Sequence, residues 1–298
     1  MKVLVLEVVL LLATSAITAQ QAPCKHTVTG QLQIFRFDSK IFGNTRMLRV
    51  WLPPGYDDAA NRSRKYPVLY MFDGQDLFDV CTGPESAYEW QIDETLTRLI
   101  AEGKIDPMIV VGIDNAGESR EHEYLPWRDV IMSPEMPEPQ GRRMPEFMLQ
   151  EVVPVIEKKY RIAKGAENTG IGGSSAGAVA AVYVALEAPG IFGKLLAESI
   201  VPWYGNGQLV RDSTNIVIAP LRSWIGMGGH EAHNPGWHIT DTARKMAEQI
   251  ASNLRSAPMR PSEVKYVFDP EGGHNTGSWG KRFPEAMVFL FGHAPPTT

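Results

Sequence analysis

Apolar residues recur along the chain in two rhythms. From Arg46 to Pro54, polar and apolar residues alternate around Leu48, Val50 and Leu52, the two-residue period of a half-buried strand. Thr29 to Asp38 keeps that period at Leu32 and Ile34 but changes phase at Phe35 and Phe37, with Arg36 between them. This implies either a bulge or a strand covered on both faces. The two stretches read as an edge hairpin, followed by a polar turn segment from Asp57 to Arg64. Tyr66 to Phe72 and Pro107 to Ile113 are nearly unbroken apolar runs of strand length, which marks strands buried on both faces of a largely parallel sheet. Phe192 to Ile200, Arg222 to Gly226 and Val264 to Phe268 supply three more strand-like runs. Between and after them, Ile92 to Glu102, Met144 to Tyr160, Thr240 to Leu254 and Phe283 to Phe291 have the spacing of helices. Strand and helix alternate through most of the chain. That alternation predicts an α/β fold with a mostly parallel central sheet flanked by helices, and ligand sites at the carboxyl ends of its strands. The Pro-rich stretch from Met132 to Pro145 reads as a surface insertion.

One junction carries chemistry. Thr169 to Ser174 runs into Ser175 and at once into the helix-forming Ala178 to Glu187. The core Gly173-Ser174-Ser175-Ala176-Gly177 has the G-x-S-x-G spacing of a nucleophile elbow, in which glycines relieve a strained strand-to-helix turn that lifts a serine above the sheet. Ser175 is the candidate nucleophile; the register centred on Ser174 lacks the closing glycine. A serine hydroxyl needs a base, and a histidine base needs a carboxylate to fix its tautomer and stabilise its cation. His274, in the turn Gly272-Gly273-His274-Asn275 after the last strand, is the candidate base. Glu231, directly after a strand end, is the preferred acid and gives the chain order serine, acid, histidine; Asp241 and Asp269 compete with it. His230-Glu231-Ala232-His233 is one residue short of the zinc-binding H-E-x-x-H, so no metal is expected. Two backbone donors would complete the site: Ala176 at the helix start, and Gln75 in the loop Asp73-Gly74-Gln75-Asp76, where Gly74 lets the backbone turn.

Composition narrows the setting. The 298 residues are 44% hydrophobic and 21% charged, ample for a large core, and the formal net charge of −5, without a cluster of Lys and Arg, argues against nucleic acid as a partner. Met1 to Ala19 has the short apolar run and small-residue end of a secretory signal peptide, leaving residues 20–298 as one domain without stable membrane association. Cys24 and Cys81 would then meet an oxidising compartment, where they either pair or remain buried free thiols.

Several of these stretches together resemble the esterase family of the α/β-hydrolase superfamily that includes enterochelin esterases, esterase D, feruloyl and acetylxylan esterases of the carbohydrate esterase family 1 type, and mycolyltransferases. The carriers are Tyr66 to Phe78 as strand and oxyanion loop, Ile109 to Asn115 with Glu123-Tyr124, the elbow, and Gly272-Gly273-His274. The elbow departs from the family's frequent Gly-x-Ser-Met-Gly-Gly by carrying Ala176 and Ala178. The resemblance implies a secreted or periplasmic serine carboxylester hydrolase with Ser175, His274 and Glu231 as triad, Gln75 and Ala176 as oxyanion hole, and no cofactor. Trp90, Trp127, Trp203, Tyr204, Trp237 and Trp279 fall in or beside expected loops and suit a phenolic acyl group or a sugar ring; Asp73, Trp127, Trp203 and Trp279 are the candidate substrate contacts. The expected partner is a small-molecule or oligosaccharide ester, such as feruloyl or acetyl groups on plant polysaccharide. Arg120 and Arg128 could instead meet an anionic substrate such as a siderophore, or form surface salt bridges. Acyl transfer, and a non-catalytic binding role, are the remaining alternatives.

Overall fold

The computed structural model describes residues 24–83, 88–129, 135, 138–231 and 239–293. The expected signal peptide, residues 132–134, 136 and 137 of the Pro-rich stretch, His233 and Trp237 lie outside the described residues. Eight strands form one sheet in the order β1-β2-β4-β3-β5-β6-β7-β8. They are β1 Gln31–Ser39, β2 Asn44–Leu52, β3 Val68–Phe72, β4 Ile109–Ile113, β5 Thr169–Ser174, β6 Lys194–Glu198, β7 Arg222–His230 and β8 Glu263–Gly273. β2 pairs antiparallel with β1 and β4, and all later pairings are parallel, as the unbroken apolar runs implied.

Those runs are explained by the alternation of a pleated strand between two faces. Val68, Tyr70 and Phe72 of β3 enter one core layer, while Leu69 and Met71 enter the other. The β1–β2 register runs without interruption, so the phase change at Phe35 is no bulge: Phe35 and Phe37 turn to the first layer and Leu32 to the second, while Ile34 is exposed.

Helices α1 (Ile92–Ala101) and α8 (Thr276–Phe291) cover the second face. The first face is covered chiefly by the stretch 144–159, α5 (Ala176–Glu187) and α7 (Ile239–Arg255). A short α2 (Arg120–Tyr124) lies near the carboxyl edge of the sheet. The stretch 144–159 is α3 (Met144–Glu146) and α4 (Val153–Lys159) joined by a π-helical segment, Phe147–Val152. An unexpected α6 (Tyr204–Ser213) begins with Gly205, Asn206 and Gly207 in left-handed conformation. α8 starts seven residues before the expected Phe283 because Asn275 caps it, its side chain accepting from the Ser278 N–H. Among the described residues no helix is long and apolar enough to cross a membrane.

β6, β7 and α8 are tied together by a buried ion pair. Glu198 accepts from Arg282 Nε at 2.8 Å and Nη2 at 2.6 Å, and from the Trp224 indole at 2.7 Å. Cys24 and Cys81 are joined in a disulfide. It holds residues 24–29 across the start of α1, where Thr27 donates to Glu89 and the Thr29 N–H donates to Asp93 at 2.5 Å.

Asp93 is fully buried, and burial first, with the neighbouring Glu94 carboxyl adding to it, pushes its pKa up to about 8. A folded pKa above the unfolded value near 4 means that the folded state binds the proton more tightly. The resulting stabilisation is complete below about pH 4 and is lost as pH rises through about 8. Asp93→Asn is therefore expected to flatten the decline in urea midpoint between pH 5 and pH 8. An unchanged slope would show that Asp93 does not titrate there.

Candidate active site

β5 ends at Ser174, and Ser175 adopts φ 56° and ψ −128° before α5 begins at Ala176. This is a strained conformation for a residue with a Cβ. The flanking glycines have steric causes. A Cβ on Gly173 would lie 2.7 Å from the Gly177 carbonyl carbon, and one on Gly177 would lie 2.9 Å from Asp73 Oδ2. Strand, turn and helix can approach this closely only without those side chains.

The ends of β7 and β8 bring two further groups to the serine. His274 Nε2 is 2.8 Å from Ser175 Oγ, and His274 Nδ1 is 2.7 Å from Glu231 Oε2. A carboxylate only accepts, so the proton of the neutral ring sits on Nδ1 and the Nε2 lone pair faces the serine hydroxyl. The competing acids lie elsewhere: Asp241 is 81% exposed in the first turn of α7, and Asp269 faces Arg282 at 3.4 Å. Burial alone would raise the pKa of Glu231. The His274 hydrogen bond and charge, with the Ser199 hydroxyl and the Gly228 N–H, outweigh burial and hold it below the ordinary carboxylate range.

The loop after β3 supplies the opposite wall. Asp73 is left-handed at φ 58°, and Gly74–Asp76 make one 3-10 turn. Arg120, at the start of α2, clamps the buried Asp73 carboxylate with Nε and Nη2, each at 2.7 Å. Asn115 Nδ2 adds a third bond at 2.8 Å, and the Asp73 N–H donates to the Tyr124 hydroxyl at 3.2 Å. Gln75 is anchored as well, its carbonyl accepting from Thr82 at 2.6 Å and its side-chain oxygen accepting from the Asn115 N–H at 3.2 Å. Ala176 is the first residue of α5, so its N–H is one of those that a helix cannot satisfy internally.

Between these walls lies a cavity of about 310 Å³ lined by Asp73, Gln75, Asn115, Arg120, His274 and Trp279, among others. It brings together Ser175, His274, Gln75, Asp73 and Trp279 of the expected residues, with Glu231 behind the histidine. Trp127 and Trp203 are not among the residues lining this cavity. Trp127 packs edge-on against Tyr183 at 5.5 Å and over Gly205, while Trp203 stacks on Tyr204 at 6.4 Å. Trp90 is buried behind Trp279, 5.7 Å away between ring centroids. Trp279 itself lies in α8, not in a loop.

Two features had no legible signal. Arg120 has Asp73 as its partner, so it is not the free cation that an anionic substrate would seek. Ser199, just beyond β6, is buried with φ 44°; it accepts from the Trp279 indole at 2.7 Å and donates to Glu231 Oε1 at 2.7 Å. Trp279, Ser199, Glu231, His274 and Ser175 thus form one chain of hydrogen bonds. Ser199→Ala leaves the second oxygen of Glu231 with only the Gly228 N–H and strands the indole donor. The cost of leaving such groups unsatisfied, about 1–3 kcal/mol, would lower kcat by about 5- to 150-fold where it falls on the transition state, in which Glu231 must stabilise the imidazolium. With one donor gone, the Glu231 pKa rises, so the acid limb of the pH profile of kcat/KM should move upward. A fall in kcat with an unmoved acid limb would assign Ser199 to packing alone.

Residues 39–290 match the sequence model of the family described as "Putative esterase". The protein YbbA of Bacillus subtilis (strain 168) is 23% identical over 252 residues, covering 84% of this chain and 94% of that protein. In fold, the chain is similar to an IroE-like serine hydrolase from Shewanella oneidensis, with a TM-score of 0.68 and 20% identity over 87% of this chain and 80% of that one. It is similar also to the ferulic acid esterase AmCE1/Fae1A from the anaerobic fungus Anaeromyces mucronatus, with a TM-score of 0.62 and 21% identity over 91% and 92%.

Proposed function

Since the chain belongs to the esterase family and is a carboxylic ester hydrolase, we propose that it works through Ser175, His274 and Glu231 by way of an acyl-enzyme. The observation that carries this reading is the continuous hydrogen-bonded line from Ser175 Oγ through both ring nitrogens of His274 to Glu231. His274 takes the Ser175 proton as the oxygen attacks the ester carbonyl. The main-chain N–H groups of Gln75 and Ala176 receive the oxyanion. His274 then protonates the departing alcohol, and a water activated by the same nitrogen releases the acid. Glu231 holds the ring in its productive tautomer and stabilises the imidazolium.

The substrate we infer is an acyl ester on a hydroxylated carrier such as plant polysaccharide. A cavity of about 310 Å³ lined by carboxylate, amide and guanidinium groups, with Trp279 as its aromatic wall, favours a compact acyl group such as acetyl over feruloyl. The Arg120–Asp73 pair weighs against a siderophore, since the charge that would meet a catecholate is already taken. The Cys24–Cys81 disulfide and the leader-like Met1 to Ala19 support a secreted or periplasmic protein whose mature domain begins near residue 20.

The test is to react the purified protein with a fluorophosphonate and map the adduct, then to compare hydrolysis of p-nitrophenyl acetate, acetylated xylan and methyl ferulate. A single adduct on Ser175, with the acetyl esters preferred, is expected. Labelling elsewhere would remove the nucleophile assignment, and preference for methyl ferulate would overturn the compact acyl site.

A further inference from the structure

A second cavity lies at the other end of the sheet. Its volume is about 440 Å³, and it is bounded by the residues where five parallel strands begin, from Pro67 before β3 to Arg222 at the start of β7. Ser175 lies past the carboxyl end of β5, so the six-residue strand separates the two sites by about 20 Å.

The charges in this cavity are unevenly engaged. Lys194, the first residue of β6, lines it and is only 8% exposed, yet among the described residues its ammonium has no ion-pair or hydrogen-bond partner. Arg222 beside it uses Nε on Glu263 at 3.1 Å and Nη1 on the Phe289 carbonyl at 3.0 Å, leaving Nη2 without an acceptor among the described residues. The acids of the lining are exposed at the rim, Asp106 facing Arg64 at 3.4 Å and Glu167 accepting from the Asn168 amide at 3.2 Å. Pro67, Met108, Leu221, Leu290 and Phe291 form an apolar wall, with Asn168, Gly292 and His293 completing the lining. Burial first, and then the charge of Arg222, lower the pKa of Lys194, while the carboxylates of Glu263 and Glu167 pull it the other way without overcoming them. Taking an ammonium partly out of water is costly, and an anion seated directly on it would offset that cost more fully than carboxylates held at a distance.

We propose that this cavity is a binding site for a small organic carboxylate, whose carboxyl group sits on Lys194 and the free Nη2 of Arg222 and whose apolar body lies against Leu290, Phe291 and Leu221. The apolar wall selects the carboxylate over an inorganic oxyanion, which has nothing to place there. The site is separate from the esterase site and does not depend on how that site is read.

The test is calorimetric titration of the whole protein with sodium benzoate at pH 7, before and after Ser175 is blocked with a sulfonyl fluoride. One saturable equivalent is expected in both cases. Lys194→Met should weaken it at least tenfold while hydrolysis of p-nitrophenyl acetate stays unchanged. Since methionine removes a half-buried charge that holds no hydrogen bond or ion pair among the described residues, the thermal midpoint of Lys194→Met should equal or exceed that of the wild type. Arg222→Gln, which keeps the ammonium, should weaken binding by a smaller factor and provides the test should Lys194→Met fail to fold. Absence of saturable binding, equal affinity in the variants, or loss of binding when Ser175 is blocked would each overturn the proposal. So would inorganic phosphate binding as tightly as benzoate.

Discussion

Ser175→Ala is expected to lower kcat for p-nitrophenyl acetate by about 10⁴- to 10⁶-fold while leaving KM within a few-fold. The methyl group that remains cannot attack a carbonyl, and His274, although still oriented by Glu231, has no hydroxyl proton to accept at 2.8 Å. Residual turnover would come from the backbone donors acting on a water held by the histidine. The substitution should not harm the fold. A hydroxyl whose one described partner is His274 is removed, and the strained φ of 56° remains whichever of the two residues occupies the position. A loss smaller than tenfold with an unchanged thermal midpoint would mean that another group is the nucleophile.

The second large effect is expected at Gly74, through geometry alone. A Cβ there would lie 2.6 Å from the Gly112 carbonyl carbon and 2.7 Å from the Ile113 nitrogen, both main-chain atoms of β4. Neither can retreat without breaking the β3–β4 ladder, so the turn Gly74–Asp76 must lift away and carry the Gln75 amide with it. Loss of one oxyanion donor costs about 10²- to 10³-fold in kcat, because such a donor binds the tetrahedral intermediate far better than the ground state. Gly74→Ala should therefore depress kcat by that factor and change KM little, with fluorophosphonate labelling of Ser175 slowed as well. If kcat were unaffected, the second donor would have to come from elsewhere than this loop.

The strands and the elbow were legible because each depends on neighbours in sequence. Tyr66 to Phe72 reads as a doubly buried strand from its run of apolar residues, and the glycines around Ser175 announce a turn that only they can make. The sequence could not place Trp127 and Trp203, for the opposite reason. An aromatic residue in a loop looks the same in sequence whether it faces substrate or packs on Tyr183, as Trp127 does. Arg120 was ambiguous in the same way, since nothing near it in the chain points to Asp73, 47 positions earlier.

By itself, then, the sequence determined the alternation of strand and helix and the largely parallel sheet, and it marked Ser175 and His274 as the candidate nucleophile and base. Periodicity and turn chemistry act over a few residues and leave their mark there. Only the tertiary structure set Glu231, rather than Asp241 or Asp269, against His274, paired Cys24 with Cys81, joined Arg120 to Asp73 and placed Ser199 between Trp279 and Glu231. These are contacts between groups 32 to 80 positions apart, made where the carboxyl ends of separate strands converge, and no local pattern encodes such a distance.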